Sequence, residues 1–337
     1  MGPVRRRQLL IASGAVLVAP LVCGQQAGRV YRVAFLSLGT PTQSKSSPAR
    51  DAFADALRRL GWVEGTNFVI EARYAEGVPS RLPSLARDLV DQRPDIILAT
   101  ATPPTVALRN ATSTIPIVMV GILDAQEAGI VQDLARPGGN ITGLTMISVQ
   151  LVAKRLQLLM EAVPAARRLG FLRPRGSDNP AEPVTAMLDR LTSAMEAAAQ
   201  RAGMEFRSAA AIGAEEIKAA FARLEAARID FLYVVEGSSA VHRVLIADLA
   251  LQARLPTMFA MPTYVEAGGL LSYGPDVLDI YRRAAVYADK ILKGARPGDL
   301  PVEQPTRFEL VINMKTAKAL GLKISQVILL RADRVIE

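Results

Sequence analysis

Asp124 and Glu236 each stand just beyond a short apolar run, residues 117–120 and 229–235. A carboxylate placed there can form half of an acid/base pair, bond the backbone of its own loop, or pair with an amine. Little else in the sequence supports catalysis. His242 is the only histidine, so no multi-histidine metal site can form. There is no P-loop, and no Gly-x-Gly-x-x-Gly follows a strand-like run. Gly237-Ser238-Ser239 is not a nucleophile elbow, which needs glycine on both sides of its serine. No metal and no cofactor is expected.

The remaining candidates are those of a binding site. Residues 99–104, Ala-Thr-Ala-Thr-Pro-Pro, take an expected strand into an expected helix. A helix start carries unpartnered N–H groups and a partial positive charge. Small residues let a ligand approach that backbone, and Thr100 and Thr102 add hydroxyls. The turn Thr100-Ala101-Thr102 is therefore expected to hold an anionic group, a carboxylate above all. The alternative is that Thr102 only caps the helix. Ser37 and Thr40, beside the end of the first apolar run, are candidates on the same wall. Across a cleft, Asn179, Glu236 and Ser238 are expected to orient the rest of the ligand, with Asp124 or Glu236 facing an amino group. Tyr264 and Tyr273 fall beside the same loops, either as packing or as stacking surfaces. His242 reads as a partly exposed helical residue.

These residues are positioned by alternating strand and helix patterns. Short apolar runs at 33–38, 67–74, 95–100 and 117–120 read as buried parallel strands. Amphipathic helices are expected at 50–60, 82–92, 103–112 and 127–135. The pattern then recurs. Val33, Gly61, Asp95 and Pro116 are answered by Leu169, Gly203, Asp230 and Pro256, at offsets of 136, 142, 135 and 140 residues. A near-constant offset indicates a duplicated lobe. Two parallel doubly wound sheets follow, with the ligand outside the carboxyl ends of their strands. At 337 residues the chain has room for both.

The segment 134–148 reads as the joint between lobes, with Gly138, Gly139 and Asn140 as its hinge. Gly268 and Gly269, followed by 270–273, read as a second crossing, and 301–313 as a third. The expected division is lobe 1 at 29–142 plus 268–300, lobe 2 at 143–267 plus 301–330, and a tail at 331–337.

Net charge is +8, with three of those charges in Arg5, Arg6 and Arg7. There is no clustered basic stripe, so nucleic acid is not an expected partner. The three arginines precede an apolar run, 9–19, too short to span a bilayer. This reads as an export signal ending near Gly24, of the twin-arginine or the general secretory type. The mature chain is then periplasmic, or surface-anchored if Cys23 is lipidated. Cleavage after Gly24 leaves no cysteine and no disulfide.

Three stretches carry a family resemblance: Leu-Ala-Arg-Pro-Gly-Gly-Asn-Ile-Thr-Gly-Leu-Thr at 134–145, Gly-Trp-Val-Glu-Gly at 61–65, and 300–322. They resemble the extracytoplasmic solute-binding proteins of ABC importers, in the subfamily with tryptophan- and tyrosine-binding members. The resemblance spans about 32–337. It implies a type I periplasmic-binding-protein fold, with two Rossmann-like lobes joined by three crossover segments. Such a monomer closes on a small solute, an amino acid or related carboxylate. It hands the solute to a membrane permease driven by a cytoplasmic ATPase. Where the family commonly carries Ser-Asp-Pro, this chain has Leu123-Asp124-Ala125, so Asp124 carries over. Ser325-Gln326 stands where prolines are frequent. The alternatives are an enzyme on the same fold using Asp124 and Glu236, or a sensing subunit without a permease.

Overall fold

A computed structural model describes residues 29–42, 48–146, 149–176 and 183–337. The expected export signal, Cys23 and Asn179 lie outside them.

The first sheet is built from the apolar runs β1 (Tyr31–Ser37), β2 (Phe68–Tyr74), β3 (Ile96–Thr100), β4 (Ile117–Ile122) and β5 (Ile141–Thr145). All pair in parallel, in the order β2-β1-β3-β4-β5. The helices between them are α1 (Pro48–Arg59), α2 (Leu82–Asp91) and α3 (Thr102–Ala111).

The second sheet comprises β6 (Arg168–Pro174), β7 (Glu205–Ala211), β8 (Phe231–Val234), β9 (Thr257–Phe259), β10 (Leu271–Pro275), β11 (Phe308–Asn313) and β12 (Arg334–Ile336). Its order is β12-β11-β10-β9-β8-β6-β7, and only the β10–β11 pair is antiparallel. The helices from the first sheet onward are α4 (Val152–Ala162), α5 (Pro183–Arg201), α6 (Gly213–Ala226), α7 (Arg243–Gln252), α8 (Pro262–Glu266), α9 (Val277–Leu292), α10 (Met314–Ala319) and α11 (Gln326–Leu329). The order β7-β6-β8-β9-β10 repeats β2-β1-β3-β4-β5, so the duplication read from residue offsets is a duplication of topology.

The repeat also corrects the expected boundaries. Residues 270–273 do not cross between lobes. They belong to β10, the counterpart of β5, buried between β9 and β11. Gly268 and Gly269 form the turn from α8 into β10, with the Gly269 N–H donating to Tyr264 O at 2.9 Å. Gly138, Gly139 and Asn140 are not at a hinge either. They precede β5 at the edge of the first sheet opposite the strands' carboxyl ends. There the Gly138 N–H donates to Gly298 O at 3.2 Å, and Asn140 Nδ2 donates to Ile115 O at 2.8 Å. The chain passes between the sheets between β5 and α4, at 275–277 and at 304–307. Residues 331–337 are no tail, because β12 extends the second sheet. The helix expected at 127–135 is a series of turns. Asp124 Oδ1 accepts from the Gln126 and Glu127 N–H groups, and Gly129 adopts positive φ, which ends helical propagation.

Helix α9 returns to the first lobe. Ile280, Ala284, Tyr287, Ala288 and Ile291, at helical spacing, pack on the core of α1 and the first sheet. Its register is fixed by Asp289, whose Oδ1 accepts the indole N–H of Trp62 at 2.8 Å in a buried setting. Asp289→Ala leaves that N–H unpaired at a cost of about 1–3 kcal/mol. Urea unfolding followed by Trp62 fluorescence should show this loss, with Asp289→Asn recovering most of it. Wild-type stability in the alanine variant would show that the bond does not secure α9.

Candidate functional site

The three crossings all leave or enter near the carboxyl edges of the strands, so the two edges face one another. On the first lobe, Tyr74, Ser37 and Thr100 stand side by side on one rung of β2, β1 and β3. Strand alternation puts them on the face of Phe35 and Leu98, toward α1 and α9. Ser37 Oγ accepts from the Gly39 N–H at 3.1 Å, and Thr100 Oγ1 reaches Leu36 O at 3.4 Å. Tyr281 of α9 lies near Tyr74; burial, with Tyr74 adding to it, pushes its hydroxyl up to about 12. Thr40 sits in the loop after β1.

Beyond Thr100 the backbone is strained. Ala101 holds φ 75° and ψ 167°, in a region that residues with a side chain rarely enter. It occupies the cap position of α3 and offers no side-chain cap. Thr102 is the first helical residue, not the cap. It is 2% exposed, and its Oγ1 accepts the Leu123 N–H at 3.1 Å. Thr145 Oγ1 accepts the Ala125 N–H at 3.0 Å. Two buried threonines thus pin the loop that carries Asp124, and Asp124 caps its turn. This is the loop-bonding role among the three open to it.

On the second lobe Glu236, 7% exposed, accepts from the backbone N–H groups of Ala260 and Met261, the latter at 2.9 Å. It ties the loop after β8 to the loop after β9. Burial raises its pKa, partly offset by the positive charge of Arg155 and the backbone donors. Ser238 opens the short 3₁₀ turn Ser238–His242. Burial lowers the pKa of His242. Tyr264 is core rather than ligand surface. It is fully buried, stacks on Phe259 at 4.8 Å and shares a hydrogen bond with Ser239 Oγ at 3.1 Å. Tyr273 also packs. Its ring stacks on Phe308 at 6.1 Å, beside a cavity of about 260 Å³ lined by Lys154, Leu158 and Leu310.

Arg155 was not among the expected residues. It is 1% exposed, with Nε donating to Tyr273 O at 2.6 Å and Nη1 to Tyr233 Oη at 2.8 Å. Its sequence signal is a charge on the apolar stripe of α4, between Val152 and Leu156 and Leu159.

The lobes are in contact. One buried cluster runs from Leu38 and Ile122 of the first lobe into Val152 and Met187 of the second. Arg190 Nε of α5 pairs with Glu127 Oε2 at 2.5 Å across the gap. Both are about half exposed, so the pair contributes at most about 1 kcal/mol. Among the described residues no His, Cys, Asp and Glu group could hold a metal ion.

The model of the family of ABC transporter substrate binding proteins matches residues 43–336. The chain belongs to that family. A crystal structure of a conserved domain protein from Vibrio cholerae is 30% identical, with a TM-score of 0.81 over 91% of this chain and all of that one. The tyrosine-binding protein of Clostridioides difficile (strain R20291) is 28% identical over 82% of this chain and 77% of its own. A Streptococcus pneumonia ABC domain in complex with L-Trp shares the fold, at 24% identity and a TM-score of 0.80 over 91% of this chain and all of that one. Family members bind small solutes outside the cytoplasm and work with an ABC permease. No helix among the described residues is long and apolar enough to cross a membrane.

The raised Glu236 pKa has a sign that can be checked. The folded state holds this proton more tightly than the unfolded state, so the stability it contributes is present below the unfolded pKa and is lost as pH rises. Glu236→Gln keeps an acceptor for Ala260 and Met261 but cannot ionise. Its melting temperature relative to wild type should rise between pH 4 and pH 7.5. A difference that stays constant over that range would contradict the assignment.

Proposed function

We propose that this receptor binds an amino acid, most suitably an aromatic one, in the cleft between its two strand-end surfaces. The solute's carboxylate lies against Ser37, Thr100 and the Ala101 turn. Asn179, Glu236 and Ser238 orient the remainder from the second lobe, with Glu236 nearest the amino group. The receptor acts as a monomer without chemistry of its own and delivers the solute to a permease coupled to a cytoplasmic ATPase. Its leader is an export signal, of the twin-arginine or the general secretory type.

The observation that carries this reading is the rung Tyr74–Ser37–Thr100. It sets three hydroxyl-bearing residues side by side at one strand edge, next to a backbone turn held in strain at Ala101. Strain of this kind persists where the surroundings enforce it, and it gathers at ligand sites. The tyrosine-binding relative supports the class of solute. Asp124 and Glu236 each spend one carboxylate oxygen on backbone donors of their own lobe, which lends the enzyme reading no support.

Titration calorimetry with L-tyrosine and L-tryptophan tests this. Thr100→Val removes the hydroxyl, whose only bond among those described is the long one to Leu36 O. It should weaken binding by about 1.5–3 kcal/mol and leave the melting temperature nearly unchanged. Undiminished affinity in the variant would remove Thr100 from the site.

A further inference from the structure

Arg155 takes a full charge into the second lobe and leaves one of its donors unmatched. Nε and Nη1 have partners, but Nη2 is buried with no hydrogen-bond partner among the described residues. No carboxylate among the described residues forms an ion pair with it. Glu236 couples to it only at longer range and spends an oxygen on two backbone N–H groups. An uncompensated buried guanidinium is destabilising, and an unmet N–H adds to that cost. A purely structural brace between Tyr233 and Tyr273 would be met by a neutral donor.

The position of Arg155 is at the root of the cleft. Helix α4 is the first element after β5 and the passage into the second lobe, and Arg155 lies within its first turn. Tyr273, whose carbonyl it holds, lies two residues before the crossing at 275–277. Glu236 lies at the end of β8. Tyr273 and Glu236 therefore both lie toward the cleft edge of the second sheet. The lobes pack against one another beside α4, through Leu38 and Ile122 on one side and Val152 and Met187 on the other, and parting them is the route by which a solute would reach the guanidinium.

We propose that Arg155 Nη2 receives the carboxylate of a zwitterionic solute, so that the second lobe supplies the counter-charge to a group that the first lobe meets only with hydroxyls and backbone. This rests on the amino-acid reading and adds to it the residue that supplies the carboxylate's counter-charge. Charge-assisted bonds to a planar guanidinium are stronger than neutral ones and are selective for carboxylate geometry. Arg155 is thus the residue that separates an amino acid from its decarboxylated amine.

Calorimetry with L-tyrosine and tyramine on wild type, Arg155→Gln and Arg155→Lys tests it, with melting curves of each protein without solute. Wild type should prefer L-tyrosine over tyramine by about 100-fold or more. Arg155→Gln should lose most of that preference by weakening L-tyrosine alone, and Arg155→Lys should keep part of it. If the glutamine variant does not fold, the lysine variant decides, since it keeps the charge and loses the planar fork. A preference unchanged in a folded variant, or equal weakening of both ligands, would make Arg155 a structural brace and overturn the proposal. Wild type that binds neither L-tyrosine nor L-tryptophan would instead defeat the amino-acid reading, and the anchor with it.

Discussion

The direction of the strands is the constraint from which the rest follows. In each sheet the strands that carry the site run parallel, so their loops and the helix starts that follow them gather at one edge. The chain crosses between the sheets three times, and each crossing meets that edge. The two edges must then face each other. A solute between them is bounded by backbone donors and short polar side chains from both sides. Neither lobe alone has a second wall.

Much of this was legible in the sequence because period and direction are coupled. A buried parallel strand is a short apolar run, and a parallel connection requires a helix, so β1 to β4 and β6 to β9 announce themselves. The constant offset between Leu169 and Val33 or Pro256 and Pro116 then fixes the duplication. The errors fall where glycine has two meanings. Gly138-Gly139 and Gly268-Gly269 were expected as hinges because glycine permits bending. Both are turns inside a lobe, and Gly138 is held against Gly298 by a close backbone contact. The repeat itself held the correction, since β5 requires a counterpart in the second sheet and 270–273 supplies it.

Side-chain roles were less legible than elements. Thr102 and Thr100 differ by two positions, yet one hydroxyl is consumed by Leu123 and the other makes only a long bond to Leu36 O among those described. Sequence carries no sign of that difference, which depends on where the β4 loop returns. Tyr264 reads as a cleft aromatic until its partners Phe259 and Ser239 are known. Arg155 was legible in principle, as a charge on an apolar stripe, but only the packed structure shows its unmatched donor.

The two lobes act as jaws whose closure is stabilised by the solute between them. Hinge closure of this kind is part of the known repertoire of ligand-driven motion. Solution X-ray scattering of the mature protein, with and without saturating L-tyrosine, tests it most directly. The account predicts a smaller radius of gyration with the solute bound, because the solute-free protein spends time with its lobes parted. A scattering profile unchanged at a solute concentration that calorimetry shows to be saturating would contradict it.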